Sequence, residues 1–138
     1  MTFVSTQQVR FAHVDPAGIV FYPRYFEMLN AAVEDYFDSA IGVSFAEMHR
    51  GQGLGVPTVK LEVDFKAPSR LGDRLAFELE VVEVGRSSAQ LVCTVRGEDA
   101  SERLVARVVL VCMDLAAARA VPWPEALRPP VDRAVPAA

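Results

Sequence analysis

The sequence predicts an α+β domain, one curved antiparallel five-stranded sheet wrapped around one long helix, and three observations carry that prediction. One segment, Pro23 to Ala40, repeats apolar residues at helical spacing. A strand-like run precedes it, and four later segments alternate apolar and polar residues with period two between short Gly, Pro and Asp clusters. At 138 residues the chain suits a single domain whose core needs neither disulfides nor metals.

The elements follow in order. Thr2 to Phe11 forms the first strand, with Phe3, Val4, Val9 and Phe11 as its apolar members. Asp15 to Tyr22 is a turn. In the helix, Phe26, Leu29, Val33, Phe37 and Ala40 form the apolar stripe, while Glu27, Asn30, Glu34 and Asp38 occupy the other face and Gly42 is the stop. Ser44 with Glu47 makes a capping box for a short second helix that ends near Gly51. Val59, Leu61, Val63 and Phe65 then alternate with Lys60, Glu62, Asp64 and Lys66, the pattern of a strand with one buried face. Pro68, Gly72 and Asp73 mark a turn. Leu75, Phe77, Leu79 and Val81 form the next apolar face, ended by Gly85, and Ala89, Leu91, Cys93 and Val95 form another, closed by Gly97-Glu98-Asp99. The last run, Leu104 to Leu115, is apolar on both sides at Val105, Val109 and Val111, which places it centrally in the sheet.

This organisation assigns residues 1–120 to one domain and 121–138 to a proline-rich tail. Five of the nine prolines, Pro122, Pro124, Pro129, Pro130 and Pro136, fall there, so a loosely packed tail is expected, with Trp123 pinning part of it to the body.

Composition narrows the function classes. The formal net charge of -4 argues against broad nucleic-acid affinity but leaves room for a local basic pocket. Neither a basic segment with an apolar core at the N-terminus nor an apolar run of membrane-spanning length is present, so a soluble cytoplasmic protein is expected. Cys93 and Cys112 sit in apolar runs as small buried hydrophobes, and no ligand spacing links them to His13 or His49. A hydrophobic content of 51% is high for a monomer of this size, so some apolar surface is expected to meet another subunit.

The chemistry concentrates in Asp15-Pro16-Ala17-Gly18-Ile19-Val20-Phe21-Tyr22-Pro23. Pro16 pushes Asp15 toward extended backbone. Gly18 permits a positive φ or the close approach of a ligand. Pro23 fits the first turn of a helix, where its missing N–H has no partner to lose. One carboxylate therefore lies close to a helix N-terminus. Taken alone, an Asp-Pro-x-Gly run reads as a capping or turn aspartate.

The longer stretch from Phe11 to Tyr25, with Asp64-Phe65-Lys66-Ala67-Pro68 leading into Leu71-Gly72-Asp73 and with Val84-Gly85-Arg86-Ser87-Ser88, resembles the hotdog-fold acyl-CoA thioesterases of the 4-hydroxybenzoyl-CoA thioesterase family. The resemblance spans Val9 to Met113. It implies hydrolysis of an acyl-CoA, with Asp15 either attacking the thioester or acting as base toward water, and the Tyr22 backbone N–H facing the developing oxyanion. No metal or redox cofactor is called for, since coenzyme A is part of the substrate. Gly18 and His13 are secondary candidates for contacts to the substrate, with a hydrogen-bonded structural role as the other reading of His13. Asn30 and Glu34, one helical turn apart, read by default as a solvated helix face, and the resemblance makes them candidates for an acyl pocket shared with the neighbouring subunit. The family can carry an aspartate at the position of Asn30, and the amide here departs from that pattern. Arg86, Ser87 and Ser88 resemble the nucleotide-binding segment, although an ordinary hairpin turn reads equally well; Lys66 and Arg70 are weaker phosphate candidates. The resemblance also implies a homodimer at minimum and a homotetramer from pairs of dimers. An aromatic acyl group, benzoyl or hydroxybenzoyl, is the first expectation for the substrate. Aliphatic acyl-CoA, an acyl carrier protein thioester, and a non-catalytic acyl-CoA-binding subunit are the alternatives.

Overall fold

The computed structural model describes residues 2–132; Met1 and residues 133–138, with Pro136 of the expected tail, lie outside the described residues. Strands β1 (Phe3–Gln8), β3 (Thr58–Phe65), β4 (Arg74–Val84), β5 (Ser88–Arg96) and β6 (Glu102–Val111) form a five-stranded antiparallel sheet in the order β1-β4-β5-β6-β3. Short strands β2 (Leu54–Gly55), β7 (Met113–Asp114) and β8 (Arg119–Ala120) make a separate three-stranded patch. Helix α1 (Tyr22–Tyr36) packs against the inner face of the large sheet.

The period-two pattern places one set of side chains on that inner face. Leu75, Phe77, Leu79 and Val81 of β4 lie beside Leu91, Cys93 and Val95 of β5, and then Leu104, Ala106, Val108 and Leu110 of β6, all buried. Desolvation in this layer pushes the Cys93 thiol up to about 12, so it is an inert hydrophobe. Two side chains tie β1 to the helix: Ser5 Oγ donates to Asp35 Oδ2 at 2.7 Å, and Gln7 Nε2 to the Met28 carbonyl at 2.8 Å.

The helix buries a broader face than the sequence predicts. Leu29, Val33 and Phe37 are buried as expected, but Tyr25, Met28, Ala32 and Tyr36 join them, Phe26 is only half-buried and Ala40 is exposed. A curved sheet covers more of the helix than one flat stripe, so the neighbouring row is also enclosed. After Tyr36 the helix widens into a π-helical turn, Phe37–Ile41, and Gly42 ends it at φ 88°. The capping box also forms: Glu47 N–H donates to Ser44 Oγ at 3.1 Å, and the short helical segment that follows runs through a π-turn at Glu47–Gly51.

Three expectations change. The first strand is shorter than Thr2 to Phe11, because the chain bends after Gln8; Phe11 stands 83% exposed in a 3₁₀ turn. Strand β3 has no buried face within the chain, because it is the edge strand and the first turn of α1 touches it only at Phe65; Val59, Leu61 and Phe65 are exposed. The run from Leu104 to Leu115 is an interior strand only as far as Val111. At Cys112 it leaves the large sheet, its N–H donating to the Ser87 carbonyl, and Met113–Asp114 enter the small sheet.

The described part of the tail is not loosely packed. Trp123 is buried, stacks on Phe37 at a centroid distance of 6.4 Å, and donates from Nε1 to the Ser88 carbonyl at 3.0 Å. Leu127 is fully buried, and Asp132 Oδ2 accepts the Val81 N–H at 2.7 Å. Prolines limit regular structure here, but Trp123 and Leu127 still seal the end of the core. We expect Trp123→Ala to lower unfolding free energy by about 3–5 kcal/mol in urea titrations, the usual cost of removing a buried aromatic.

Candidate active site

Local geometry makes a rigid loop of the Asp15 segment. Val14 and Val20 pair across an antiparallel bridge, with the Asp15 N–H donating to the Ile19 carbonyl at 3.0 Å. At the tip, the Ala17 N–H donates to Asp15 Oδ1 at 2.9 Å and the Gly18 N–H to the Asp15 carbonyl at 2.9 Å. Gly18 adopts φ 79°, the left-handed conformation that the turn requires. Asp15 is partly exposed, and its second carboxylate oxygen has no hydrogen-bond donor among the described residues.

The loop delivers the chain directly into α1. Phe21 is the N-cap residue and offers no side-chain cap; its own N–H donates to the His13 carbonyl at 2.9 Å. Tyr22 is the first helical residue, and its N–H has no acceptor among the described residues. Pro23 has no N–H, and the Arg24 N–H is taken by the Phe21 carbonyl at 2.8 Å. A backbone donor at the positive end of the helix dipole is therefore left open where the loop that carries the Asp15 carboxylate enters the helix. The Tyr22 ring stands edge-on to Phe26 and Phe65, forming an exposed aromatic wall.

A buried polar cluster holds this loop against the sheet. The Val20 N–H donates to the Ser69 carbonyl at 2.9 Å, the Leu71 N–H to the Gly18 carbonyl at 3.1 Å, and Ile19 bridges Arg70. Arg103 fixes the Ser69–Asp73 turn from below: its Nη1 donates to Asp73 Oδ2 at 2.9 Å, Ser69 Oγ at 3.2 Å and the Pro68 carbonyl at 3.3 Å. Ser69 is fully buried, and its Oγ also accepts from the Tyr25 hydroxyl at 2.9 Å. Neither Arg103 nor Ser69 is singled out by the sequence, because only folding brings β6 beneath the turn.

The remaining candidates divide. His13 Nδ1 accepts the Arg10 N–H at 2.8 Å, which commits that nitrogen to the local 3₁₀ turn. Lys66 and Arg70 are exposed. Asn30 borders a pocket of about 430 Å³ lined by Val33, His49, Val56, Thr58 and Leu110 among others, whereas Glu34 projects elsewhere on the exposed helix surface. Arg86, Ser87 and Ser88 form the β4–β5 turn. The carbonyls of all three are used, Arg86 by the Trp123 N–H, Ser87 by Cys112 and Ser88 by Gly85 and Trp123, and the Arg86 side chain is left exposed.

These groups do not converge within one chain. The Asp15 loop sits at the Arg74 end of β4, while the Arg86 turn is at the Val84 end, an 11-residue strand away or about 35 Å of strand length. Leu110 pairs with both Ala89 and Thr58, so the pocket belongs to the Arg86 end.

Asp73 gives the cluster a pH dependence. The Arg70 backbone N–H, followed by the Arg103 side chain, holds its carboxyl below the usual carboxylate range. With a folded-state value below the unfolded value of about 3.9, this stabilisation is complete above the unfolded value and is lost as pH falls through the folded one. We expect Asp73→Asn to be less stable than wild type at neutral pH and to lose stability less steeply between about pH 5 and pH 2. Urea unfolding measured across that range checks both.

The sequence profile of the thioesterase-like superfamily matches residues 9–131. A 1,4-dihydroxy-2-naphthoyl-CoA hydrolase of Thermosynechococcus vestitus is 29% identical over 119 residues, covering 86% of this chain and 81% of that protein. A 4-hydroxybenzoyl-CoA thioesterase of a Pseudomonas species is 31% identical over 83 residues, 59% of each chain. The crystal structure of a 1,4-dihydroxy-2-naphthoyl-CoA thioesterase from Synechocystis superposes with a TM-score of 0.81 at 26% identity, covering 91% of this chain and 92% of that one. The chain belongs to the thioesterase-like superfamily and is a hotdog-fold thioester hydrolase.

Proposed function

We propose that the protein hydrolyses an aromatic acyl-CoA thioester to the free acid and coenzyme A. The observation that carries this reading is the pairing, in one rigid loop, of the partly exposed Asp15 carboxylate with the open Tyr22 N–H at the start of α1. Acyl transfer from a thioester needs both: a nucleophile or base on one side of the carbonyl, and a fixed donor for the charge that develops on its oxygen. Asp15 either attacks the carbonyl carbon to give a mixed anhydride that water cleaves, or takes a proton from the attacking water. In both routes the carbonyl oxygen faces Tyr22 N–H and thiolate leaves. The aromatic preference is supported by the relatives named for naphthoyl-CoA and hydroxybenzoyl-CoA thioesters and by the apolar pocket beside Asn30.

We further propose that two copies of the chain complete the site. Asn30 lies two turns beyond Tyr22, about 12 Å along the helix, farther than a single aromatic ring extends from its thioester carbonyl. Strand β3 offers an unpaired edge with exposed Val59, Leu61 and Phe65. Two such edges related by a two-fold axis pair antiparallel, which sets the Thr58 end of one against the Phe65 end of the other. The pocket of one protomer then adjoins the Asp15 loop of its partner. Arg86 is the candidate for a coenzyme phosphate, because its side chain is exposed at the pocket end of the sheet.

Asp15→Asn is expected to lower kcat on benzoyl-CoA by ~100-fold or more, with thiol release as the readout. Equal, negligible hydrolysis by wild type and variant would instead support an acyl-CoA-binding subunit. For assembly, Leu61→Asp should shift the mass measured in solution toward the monomer and reduce turnover in parallel.

A further inference from the structure

The pocket beside Asn30 contains a group that the local sequence presents as an ordinary helix-end residue. His49 lies in the π-turn Glu47–Gly51, a distortion that often accompanies functional positions. The turn is well anchored: Met48, beside it, is fully buried, and the Met48 N–H donates to the Ser44 carbonyl at 2.9 Å. The imidazole stacks on Phe45 with centroids 5.7 Å apart and planes at 14°. Stacking fixes the ring plane, and the nitrogens lie in that plane at the ring edge, clear of the stacked face.

The floor of the pocket is shaped around that ring. Gly55 is buried, and a Cβ there would stand 2.9 Å from Leu115 Cδ2 and 3.4 Å from His49 Nε2. Glycine leaves the space in front of the imidazole open. The other walls are mostly apolar, with Val33, Val56 and Leu110 facing the cavity. Among the described residues that line it, the polar side chains are Asn30, Thr58 and His49, and none is a lysine or arginine.

We propose that His49 is a specificity-determining residue that hydrogen-bonds a ring hydroxyl of the acyl group. This rests on the reading of the pocket as the acyl site. A mostly apolar cavity of this size suits an aromatic ring, and the absence of a cation among the described lining residues disfavours a ring carrying a second carboxylate. An amide and an imidazole can each donate and accept, which matches a hydroxyl that does both. Asn30 and His49 are both exposed in the single chain, so they discriminate once the bound ring and the partner subunit exclude water, when a ring without the hydroxyl leaves them unpaired.

The test compares kcat/KM for benzoyl-CoA with that for 2-, 3- and 4-hydroxybenzoyl-CoA and 1,4-dihydroxy-2-naphthoyl-CoA, in wild type, His49→Phe and His49→Gln. Phenylalanine keeps a ring against Phe45 but removes both nitrogens; glutamine retains a donor and an acceptor. His49→Phe should reduce the preference for the best hydroxylated substrate over benzoyl-CoA by about tenfold, and His49→Gln should restore part of it. An equal loss on all thioesters, or an unchanged ratio, overturns the role of His49 while leaving aromatic thioester hydrolysis intact. Failure of wild type to cleave any aromatic thioester overturns both that function and this inference.

Discussion

The Arg103 guanidinium gathers the Asp73 carboxylate, the Ser69 hydroxyl and the Pro68 carbonyl, and the backbone contacts that tie the Asp15 loop to the sheet run through the turn these groups hold. A mostly buried cation requires such partners, because its lost hydration must be replaced by charge-assisted hydrogen bonds. The planar fork of arginine reaches several acceptors at once, which a lysine ammonium on a flexible stem does less well. A polar cluster thus becomes a mechanical support: the turn is set by Arg103, the loop by the turn, and the carboxylate by the loop. Tyr25 couples the same cluster to the first turn of α1 through Ser69. The carboxylate and the open helix N-terminus are consequently held by one set of contacts.

The long axis of the sheet imposes the second constraint. Helix α1 starts beside Phe65 and continues through its π-turn to Phe37, which stacks on Trp123, so it carries the chain from the Asp15 end to the Arg86 end. The pocket and the exposed arginine lie at the second end, and the Asp15 carboxylate at the first. The proposed two-chain site follows from this separation, since a two-fold partner reverses the direction and sets one end against the other. The exposed apolar side chains of β3 leave that edge of the sheet open to pairing.

Much of this protein was legible in residue order alone. Alternation in Leu75 to Val81 and Ala89 to Val95 specified inner and outer sheet faces, because strand side chains repeat every two residues whatever surrounds them. Gly18 and Gly42 marked positive φ, and Ser44 with Glu47 marked a helix start, because these signals act over a few residues. The same locality made the Asp15 turn readable, and the surrounding motif supplied its family resemblance.

Tertiary structure decided what depends on distant neighbours. Val59, Leu61 and Phe65 have the alternation of a half-buried strand, but their exposure follows from position at the sheet edge, which periodicity does not encode. Trp123 and Leu127 are buried because the end of the core remains open until the tail crosses it, despite the prolines around them. Arg103 looks like one more charge at a strand start, and His49 like a residue at a short helix end; folding sets the first beneath the Asp15 loop and the second at a pocket. The sequence by itself determined the elements, their faces and the Asp15 turn, since each is governed by local backbone preference. Only the tertiary structure decided which side chains support that turn and which remain open to a ligand, since both depend on contacts between segments far apart in the chain.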